Sequence, residues 1–297
     1  ISMEKMKFRG HETFFIRKGW LYKGMKNVVA DSTVFMGNNG NPMDILGIGS
    51  NMVKSLRYWL QVVGLTEEPT SGKRYQQLTP LGDIIYENDK YIEEMGTLWL
   101  LQYKLASNKE DATAWYYFFN EFNRKEFTKE DFVKQLNSYI LINENEVSER
   151  SLEDDFNCII NTYVPRVKSN PGKVHPESNI DCPLGELSLI DFVNKKSKIY
   201  RKSTPKIDTI HPLIALAIIV DQANGNKQIK ISSLQSDPCN IGKLFNLDVI
   251  ALTSLLSKLE LLGYLKVIRT AGLDVVNIER EIDFIGCAIE YYNAINQ

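Results

Sequence analysis

The chain contains 297 residues, 43% of them hydrophobic, which is enough to build more than one packed domain. Its 35 basic and 37 acidic residues give a formal net charge of -2, and this balance excludes a uniformly basic nucleic-acid coat. The four cysteines form no CxxC pair, which argues against a zinc ribbon or a thioredoxin-type motif. Neither a signal-peptide segment nor an apolar run near the roughly 20 residues of a membrane span is present. We expect a cytoplasmic protein without membrane contact, in which any polyanion site is local.

Two breaks divide the chain into three predicted segments. They are the stretches VPRVKSNPGKVHPESN and NKKSKIYRKSTPK, which are rich in Pro, Gly, Lys or other polar residues. We predict a winged-helix DNA-binding module at residues 1–89, a helical middle segment with a loop at residues 90–206 and a second winged-helix module at residues 207–297. The predicted fold class is mainly α, with winged helix-turn-helix modules at both ends joined by the helical middle segment.

The first module contains a predicted helix-turn-helix within LGIGSNMVKSLRYWLQVVGLTEE, residues 46–68. Gly47 and Gly49 permit a tight turn, and Ser50 or Asn51 is expected to cap the helix that follows. One face of that helix is apolar, formed by Met52, Val53, Leu56, Leu60 and Val63. The other face carries Asn51, Lys54, Tyr58 and Gln61. A helix of this kind fits the major groove of DNA, and the alternative is a polar face that is only solvated.

The same module supplies cations for DNA contact. Asn51 and Gln61 are expected to hydrogen-bond base edges, and Lys54 and Arg57 to engage bases or phosphates. The stretch LTEEPTSGKRYQQLTPLG has the composition of a wing, with a turn at Ser71 and Gly72, Lys73 and Arg74 at its tip, and a new helix at Thr79 and Pro80. Winged helices also serve as protein-interaction modules, so DNA contact and partner contact are both open at this point.

The middle segment is predicted to be helical from residue 90 to 165. Aromatic residues recur at helical spacing in MGTLWLLQYKLAS, ATAWYYFFNEF, TKEDFVKQLNSYI and SLEDDFNCIINTY. Thr128 and Ser151 each precede early acidic residues, which is typical of a helix N-cap. We therefore expect helices to begin directly after these two residues.

The third segment repeats the order of the first in outline. HPLIALAIIVDQA predicts an apolar helix with Pro212 in its first turn, and LDVIALTSLLSKLELLGYLKVIR predicts a long helix, a glycine and a strand. A hairpin is expected from residues 265–270 and 275–279, around the turn AGLD. The long helix exposes Asp248, Thr253, Ser254, Ser257 and Glu260, with Lys258 as its only cation. Because this face has so few cations, the second module is expected to contact a second copy of the chain or another protein partner rather than DNA.

The amino-terminal stretch FRGHETFFIRKGWLYKGM is the first candidate for chemistry. His11 and Glu12 stand near the basic residues Arg9, Arg17 and Lys18, residue types that bind phosphate or transfer a proton near neutral pH. The alternative is a structural arm held on the core by four apolar residues, Phe14, Phe15, Trp20 and Leu21. We favour a mixed site, in which Arg17 contacts phosphate and His11 holds the arm.

Acidic residues are the second candidate, because phosphodiester cleavage with Mg²⁺ requires two or more converging carboxylates. SLEDDFNCII offers Glu153, Asp154 and Asp155, and the alternative for this run is an ordinary acidic helix start. The catalytic candidates are therefore His11, Glu12, Asp154 and Asp155, with Mg²⁺ as the cofactor if the protein is a nuclease. No metal site is predicted, because the chain has no HExxH, no spaced His/Cys cluster and no GxxxxGK[ST] loop. His175 and His211 are interpreted as structural.

These stretches together resemble the bacterial family catalogued as domain of unknown function 4007. The resemblance lies in GHETFFIRKGWLYKG, in LGIGSNMVKSLRYW and, less specifically, in CPLGELSLI. It covers most of the chain and marks the positions His11, Glu12, Arg17, Trp20, Asn51, Lys54, Arg57 and Trp59. Ser50 departs from the pattern, because a basic residue is expected there in many relatives.

The resemblance implies a DNA-directed function. Members of the family are encoded beside sulfur-transfer enzymes in single-strand DNA phosphorothioation systems, where the corresponding subunit is described as a DNA-nicking protein. We expect a DNA-binding component of a phosphorothioate modification system, with sulfur-transfer proteins as partners and single-strand nicking as the enzymatic hypothesis. The alternative is a non-enzymatic winged-helix adaptor or transcriptional regulator. The expected DNA-binding residues are Arg17, Asn51, Lys54, Arg57, Tyr58, Gln61, Lys73 and Arg74.

Overall fold

The computed structural model describes residues 5–165, 181–270 and 272–296, and within them the protein is mainly helical, as predicted. The first elements of the chain are α1 (Trp20–Ala30), α2 (Pro42–Leu46), α3 (Ser50–Val62), β1 (Thr66–Glu67), β2 (Gln77–Leu78) and α4 (Pro80–Asn88), with a 3-10 turn at Val34–Met36. Strands β1 and β2 pair antiparallel, with Thr66 opposite Leu78. The hairpin that they form follows α3 directly.

The middle of the chain is helical with one small sheet. Its elements are α5 (Met95–Ser107), α6 (Thr113–Asn120), β3 (Glu126–Phe127), α7 (Lys129–Ile142), α8 (Glu149–Tyr163), a 3-10 turn at Pro183–Leu187, β4 (Ile190–Asn194) and β5 (Ile199–Lys202). The three strands pair antiparallel in the order β3-β5-β4. His175 lies outside the described residues.

The last part of the chain contains five helices and a second three-stranded sheet among its described residues. These elements are a 3-10 turn at Ile207–Thr209, α9 (Pro212–Ala223), β6 (Gln228–Lys230), α10 (Ile231–Ser236), α11 (Ile241–Leu244), α12 (Val249–Leu261), β7 (Leu265–Thr270), β8 (Leu273–Ile278) and α13 (Phe284–Ile295). The sheet order is β6-β8-β7, with antiparallel pairing throughout.

Several helix starts follow the local signals in the sequence. Thr128 and Asp131 form a reciprocal capping box at the start of α7, and the Thr79 side chain caps α4 just before Pro80. His211 caps α9 through its imidazole nitrogen, in agreement with its predicted structural role. These starts were predictable because each cap contacts only residues two or three positions away.

Other local predictions are wrong. Helix α8 begins one turn early, with Ser148 as its N-cap, so Ser151 lies inside the helix. Helix α3 has Gly49 at its N-cap and no side-chain cap, although Ser50 or Asn51 was expected to provide one. The second hairpin strand begins at Leu273, two residues before the predicted start.

The loop predicted within the middle segment needs the largest correction. NKKSKIYRKSTPK was interpreted as a polar break, yet residues 190–202 form the hairpin of β4 and β5. Tyr200 of β5 lies directly opposite Phe127 of β3 and stacks on its ring, which connects this hairpin to the helical core. The strands are short and one edge is exposed, so polar residues dominate their sequence and conceal the alternation.

The hydrophobic core is continuous across all three predicted segments. Helix α5 is buried along nearly its whole length and packs against the carboxyl-terminal helix α13. Gly96 N donates to the Tyr291 hydroxyl at 3.1 Å, and a Cβ at position 96 would lie 2.2 Å from the Tyr291 ring. The Thr97 and Tyr292 hydroxyls are 2.5 Å apart. No helix in the described part of the chain is both long and apolar enough to cross a membrane.

Candidate nucleic-acid interface

Helices α2 and α3 are joined by a tight turn whose geometry depends on glycine. Gly47 ends α2 with φ 63°, a left-handed conformation that other residues adopt at a cost. Lys23 of α1 donates from Nζ to Leu46 O at 2.9 Å, so a cation satisfies a carbonyl at the end of α2. Trp59 of α3 donates from Nε1 to Phe14 O at 2.8 Å. Both helices are therefore held against the amino-terminal segment and α1.

The exposed face of α3 is confined to its first turns. Ser50, Asn51 and Lys54 are exposed, and Lys54 has no carboxylate within ion-pair distance among the described residues. The prediction that Tyr58 lies on this face is wrong, because Tyr58 is 7% exposed and its hydroxyl donates to Asp111 O at 2.9 Å. The arm and the loop before α6 cover this side of the helix, which the sequence of α3 alone does not reveal.

Arg57 and Gln61 are occupied by a carboxylate. The Arg57 guanidinium donates to both oxygens of Glu68, from Nε at 2.5 Å and from Nη2 at 2.6 Å. Gln61 Nε2 and Gln76 Nε2 also lie within 3.4 Å of Glu68 Oε1. The bidentate hydrogen bond with Glu68 raises the pKa of Arg57 above its ordinary value. These side chains connect α3 to the β1–β2 hairpin. DNA contact by Arg57 and Gln61 stays a prediction, and it requires that Glu68 first releases them.

The hairpin presents two unpaired cations. Gly72 adopts φ 87° at its turn, and Lys73 and Arg74 beside it are exposed. Neither side chain has an ion-pair partner among the residues that the structure describes. Lys54 on α3 and Lys73 and Arg74 at the hairpin turn are thus exposed cations on two elements that Arg57 and Glu68 connect, and we call them together the α3–hairpin surface.

Arg17 lies in the arm that leads into α1. Its guanidinium lies over two aromatic rings, 5.8 Å from the Phe14 centroid and 5.5 Å from the Trp20 centroid. It is half-buried and, within the described ranges, no carboxylate pairs with it. Stacking on aromatic rings orients a guanidinium while leaving its edge free for an anion.

His11 and Asp155 form a buried pair between the arm and α8. His11 Nε2 lies 2.6 Å from Asp155 Oδ1, and both residues are 1% exposed or less. Thr13 N donates to His11 Nδ1 at 3.0 Å, which assigns the imidazole proton to Nε2 and makes it the donor to Asp155. The His11 ring stacks on Trp59 at 6.1 Å and contacts the edge of Trp115 at 5.6 Å.

This pair is an anchor for the amino-terminal arm. Asp155 Oδ1 also accepts from Arg9 N at 2.9 Å, so the carboxylate binds both the backbone and the side chain of the arm. Burial raises the pKa of Asp155, and the hydrogen bonds from His11 and Arg9 oppose that shift only in part. Neither side chain offers a surface that DNA can reach.

The acidic run on α8 does not converge on one site. Arg9 Nε lies 2.9 Å from Asp154 Oδ2, while Asp155 points into the core. Glu12 is half-exposed in the arm turn, with φ 50°. Among the described residues, no group of three or more His, Cys, Asp or Glu side chains is placed to share a metal ion. The residues of this run therefore do not fit a magnesium site.

The local sequence does not predict the contacts of two charged residues, Glu68 and Lys202. Glu68 fixes the position of Arg57, which lies eleven positions before it in the chain. The only signal for this pair in the sequence is the presence of acidic residues in the wing stretch. Lys202 lies in the stretch that was interpreted as a break, yet its amino group is buried and contacts the carboxyl end of α6. Both contacts depend on tertiary structure.

Within the described residues, the fold is mainly helical with three small antiparallel sheets, and exposed cations lie on α3 and the hairpin that follows it. The chain belongs to the family described as Protein of unknown function (DUF4007), whose model matches residues 8–292. This match confirms the family resemblance carried by the arm and α3.

Two solved structures share the fold. They are a crystal structure of SspB and a magnesium ion-bound crystal structure of SspB, each 24% identical to this chain with a TM-score of 0.81. Each alignment covers 98% of this chain and 87% of the SspB chain. No curated protein matches this chain. At this identity, the structural likeness establishes the shared fold.

Proposed function

We propose that this protein is a DNA-binding component of a DNA phosphorothioate modification system. The observation that carries the proposal is the α3–hairpin surface, where Lys54 follows a tight interhelical turn and Lys73 and Arg74 stand at an adjacent hairpin tip without anionic partners. A helix presented after a turn, with a basic wing beside it, can place a helix in the major groove and a wing on the phosphates. The link to phosphorothioation comes from the family resemblance and from the likeness to SspB.

The winged-helix interpretation applies to both ends of the chain. In the first module it is supported by the order α2, α3, β1 and β2. In the second it is supported by the order α9, β6, α10, α11, α12, β7 and β8, with β8 between β6 and β7. Helix α12 of the second module exposes the apolar residues Val249, Ile250 and Leu261, and Leu262 directly after it is exposed as well. We assign this helix to contact with a protein, either a second copy of the chain or a sulfur-transfer partner.

Removing the wing cations is expected to weaken binding to all DNA sequences alike. For the double variant Lys73→Ala, Arg74→Ala, the slope of log affinity against log salt should fall by roughly one unit for each lost phosphate contact. Fluorescence anisotropy of a labelled duplex over a salt series measures that slope. The matched control is Lys195→Ala, Lys196→Ala, which removes two exposed lysines from the turn of the β4–β5 hairpin. An unchanged slope, or an equal fall in the control, would exclude the wing as a DNA contact.

Nicking is the enzymatic form of the proposal, and a non-enzymatic adaptor or transcriptional regulator is the alternative. Supercoiled plasmid incubated with the protein and Mg²⁺ separates the two. Nicked circles that form with the wild type and diminish with Glu12→Gln, the half-exposed acidic candidate of the arm, but not with Asp191→Asn, support the enzyme. Asp191 is a suitable control because it is an exposed carboxylate on β4, outside the arm and α8. Retained DNA binding without nicked circles supports the adaptor.

A further inference from the structure

A second basic feature lies away from the elements of the α3–hairpin surface. It is an open cleft of about 310 Å³ between the loop after α6, strand β5 and helices α10 and α11. Four of its lining residues are cationic, Arg124, Lys125, Lys202 and Lys243, and none of the lining residues is acidic. We call it the basic cleft.

Lys202 lines this cleft, and two backbone carbonyls hold its amino group in place. Its Nζ donates to Phe118 O at 2.5 Å and to Phe122 O at 2.6 Å, carbonyls at the carboxyl end of α6 and just beyond it. A protonated lysine has three N–H donors, so one is left without a protein acceptor among the described residues. The backbone contacts fix the position of this donor, and Nζ also lies 4.7 Å from the Phe118 ring.

Lys243 brings a second positive charge to the same cleft. Its Nζ donates to Asn123 Oδ1 at 2.8 Å, a neutral partner that orients the amine without neutralising it. Burial, together with a smaller contribution from repulsion by Lys243, lowers the pKa of Lys202 to about 7. Arg124 pairs with Asp131, but neither lysine has a carboxylate partner in the described ranges. An anion bound in the cleft would be stabilised by the charge of Lys243 and would favour the protonated form of Lys202.

Two neutral side-chain atoms of the cleft have no hydrogen-bond partner among the described residues. Ser203 Oγ is buried without a hydrogen bond, next to Lys202 in the chain. Gln235 donates from Nε2 to Leu247 O at 2.6 Å, which leaves its buried Oε1 without a donor. Buried polar atoms are nearly always satisfied in native proteins, and a bound anion can satisfy these atoms beside two lysines that have no carboxylate partner among the described residues. The lysines and Ser203 supply donors for anionic oxygens, and Gln235 accepts from a ligand hydroxyl.

We propose that the basic cleft binds a phosphate group through Lys202, Lys243 and Ser203. Two sources of that group have the same chemistry: a small phosphate compound, such as inorganic phosphate or a nucleoside monophosphate, and a backbone phosphate of single-stranded DNA. The site is built from elements other than α2, α3 and the β1–β2 hairpin. Its existence is therefore independent of the proposed DNA contact at the α3–hairpin surface.

The test uses calorimetric titration of the full chain at matched ionic strength. The probes are inorganic phosphate, a nucleoside monophosphate and a short single-stranded oligonucleotide without terminal phosphates. Lys243→Gln and Ser203→Ala should each weaken binding, Lys243→Gln by about tenfold because a charged donor is lost. The control Lys134→Gln, an exposed lysine of α7 outside the cleft, should bind as the wild type does.

The outcome separates the two sources and can overturn the site. Variant-sensitive binding of phosphate or the monophosphate identifies a small-molecule site, and variant-sensitive binding of the oligonucleotide alone identifies a backbone-phosphate site. Absence of binding by all three probes, or binding that Lys243→Gln and Ser203→Ala leave unchanged, overturns the proposal. The Lys73→Ala, Arg74→Ala variant should retain binding of the small phosphates, so failure at one surface is distinguishable from failure at the other.

Discussion

Replacing His11 with alanine is expected to lower the free energy of unfolding by about 3 kcal/mol. The change removes the donor to Asp155 and leaves a buried carboxylate with Arg9 N as its remaining partner. It also opens space between the rings of Trp59 and Trp115, which adds a cavity cost. Urea denaturation measures the loss, and DNA binding per folded molecule should be unchanged.

The conservative variant His11→Gln sharpens this prediction. A glutamine amide can donate towards Asp155 as Nε2 does, so it should recover part of the stability that alanine loses. A fully stable His11→Ala protein that has lost DNA binding or nicking would instead give His11 a chemical role, and the anchor interpretation would be wrong. Wild-type stability together with wild-type activity would contradict both interpretations.

The sequence predicted those parts of the fold that depend on neighbouring residues. The caps at Thr79, Thr128 and His211 and the turn at Gly47 are readable because each is complete within a few positions. Helical periodicity in the same way indicated α5 to α8 and α12. Hairpin β4–β5 was missed because its residues are mostly polar, and its pairing with β3 spans more than seventy positions.

The sequence predicts which cations of the candidate site are exposed, but it does not predict the contacts that other site residues make. Lys54, Lys73 and Arg74 are exposed as expected, because none of the described elements covers them. Tyr58 was placed on the wrong face, because the arm and the loop carrying Asp111 come from distant parts of the chain. The pairing of His11 with Asp155 joins residues 144 positions apart, so local spacing carries no signal for it.

Lys202→Met is expected to change how stability depends on pH. In the unfolded chain the Lys202 amine keeps its proton up to its ordinary pKa of 10.5, whereas in the folded protein the pKa is about 7 because the amine is buried. Between these values the unfolded state binds more protons, so this residue makes the free energy of unfolding rise with pH. Where the folded protein has lost this proton and the unfolded chain still holds it, the free energy of unfolding rises by about 1.4 kcal/mol per pH unit.

The comparison of variants isolates this contribution from other titrating groups. Wild type and Lys202→Met are denatured with urea at pH 7 and at about pH 9, and the difference in their unfolding free energies should shift in favour of the wild type as the pH rises. The change in that difference is the decisive quantity, because methionine also removes the hydrogen bonds to Phe118 O and Phe122 O at every pH. Lys206→Met, at an exposed position of the same stretch, should leave the pH dependence as it is in the wild type. Parallel pH profiles for wild type and Lys202→Met would mean that the amine keeps its proton when buried, with the carbonyls of Phe118 and Phe122 outweighing the cost of burial and the repulsion from Lys243.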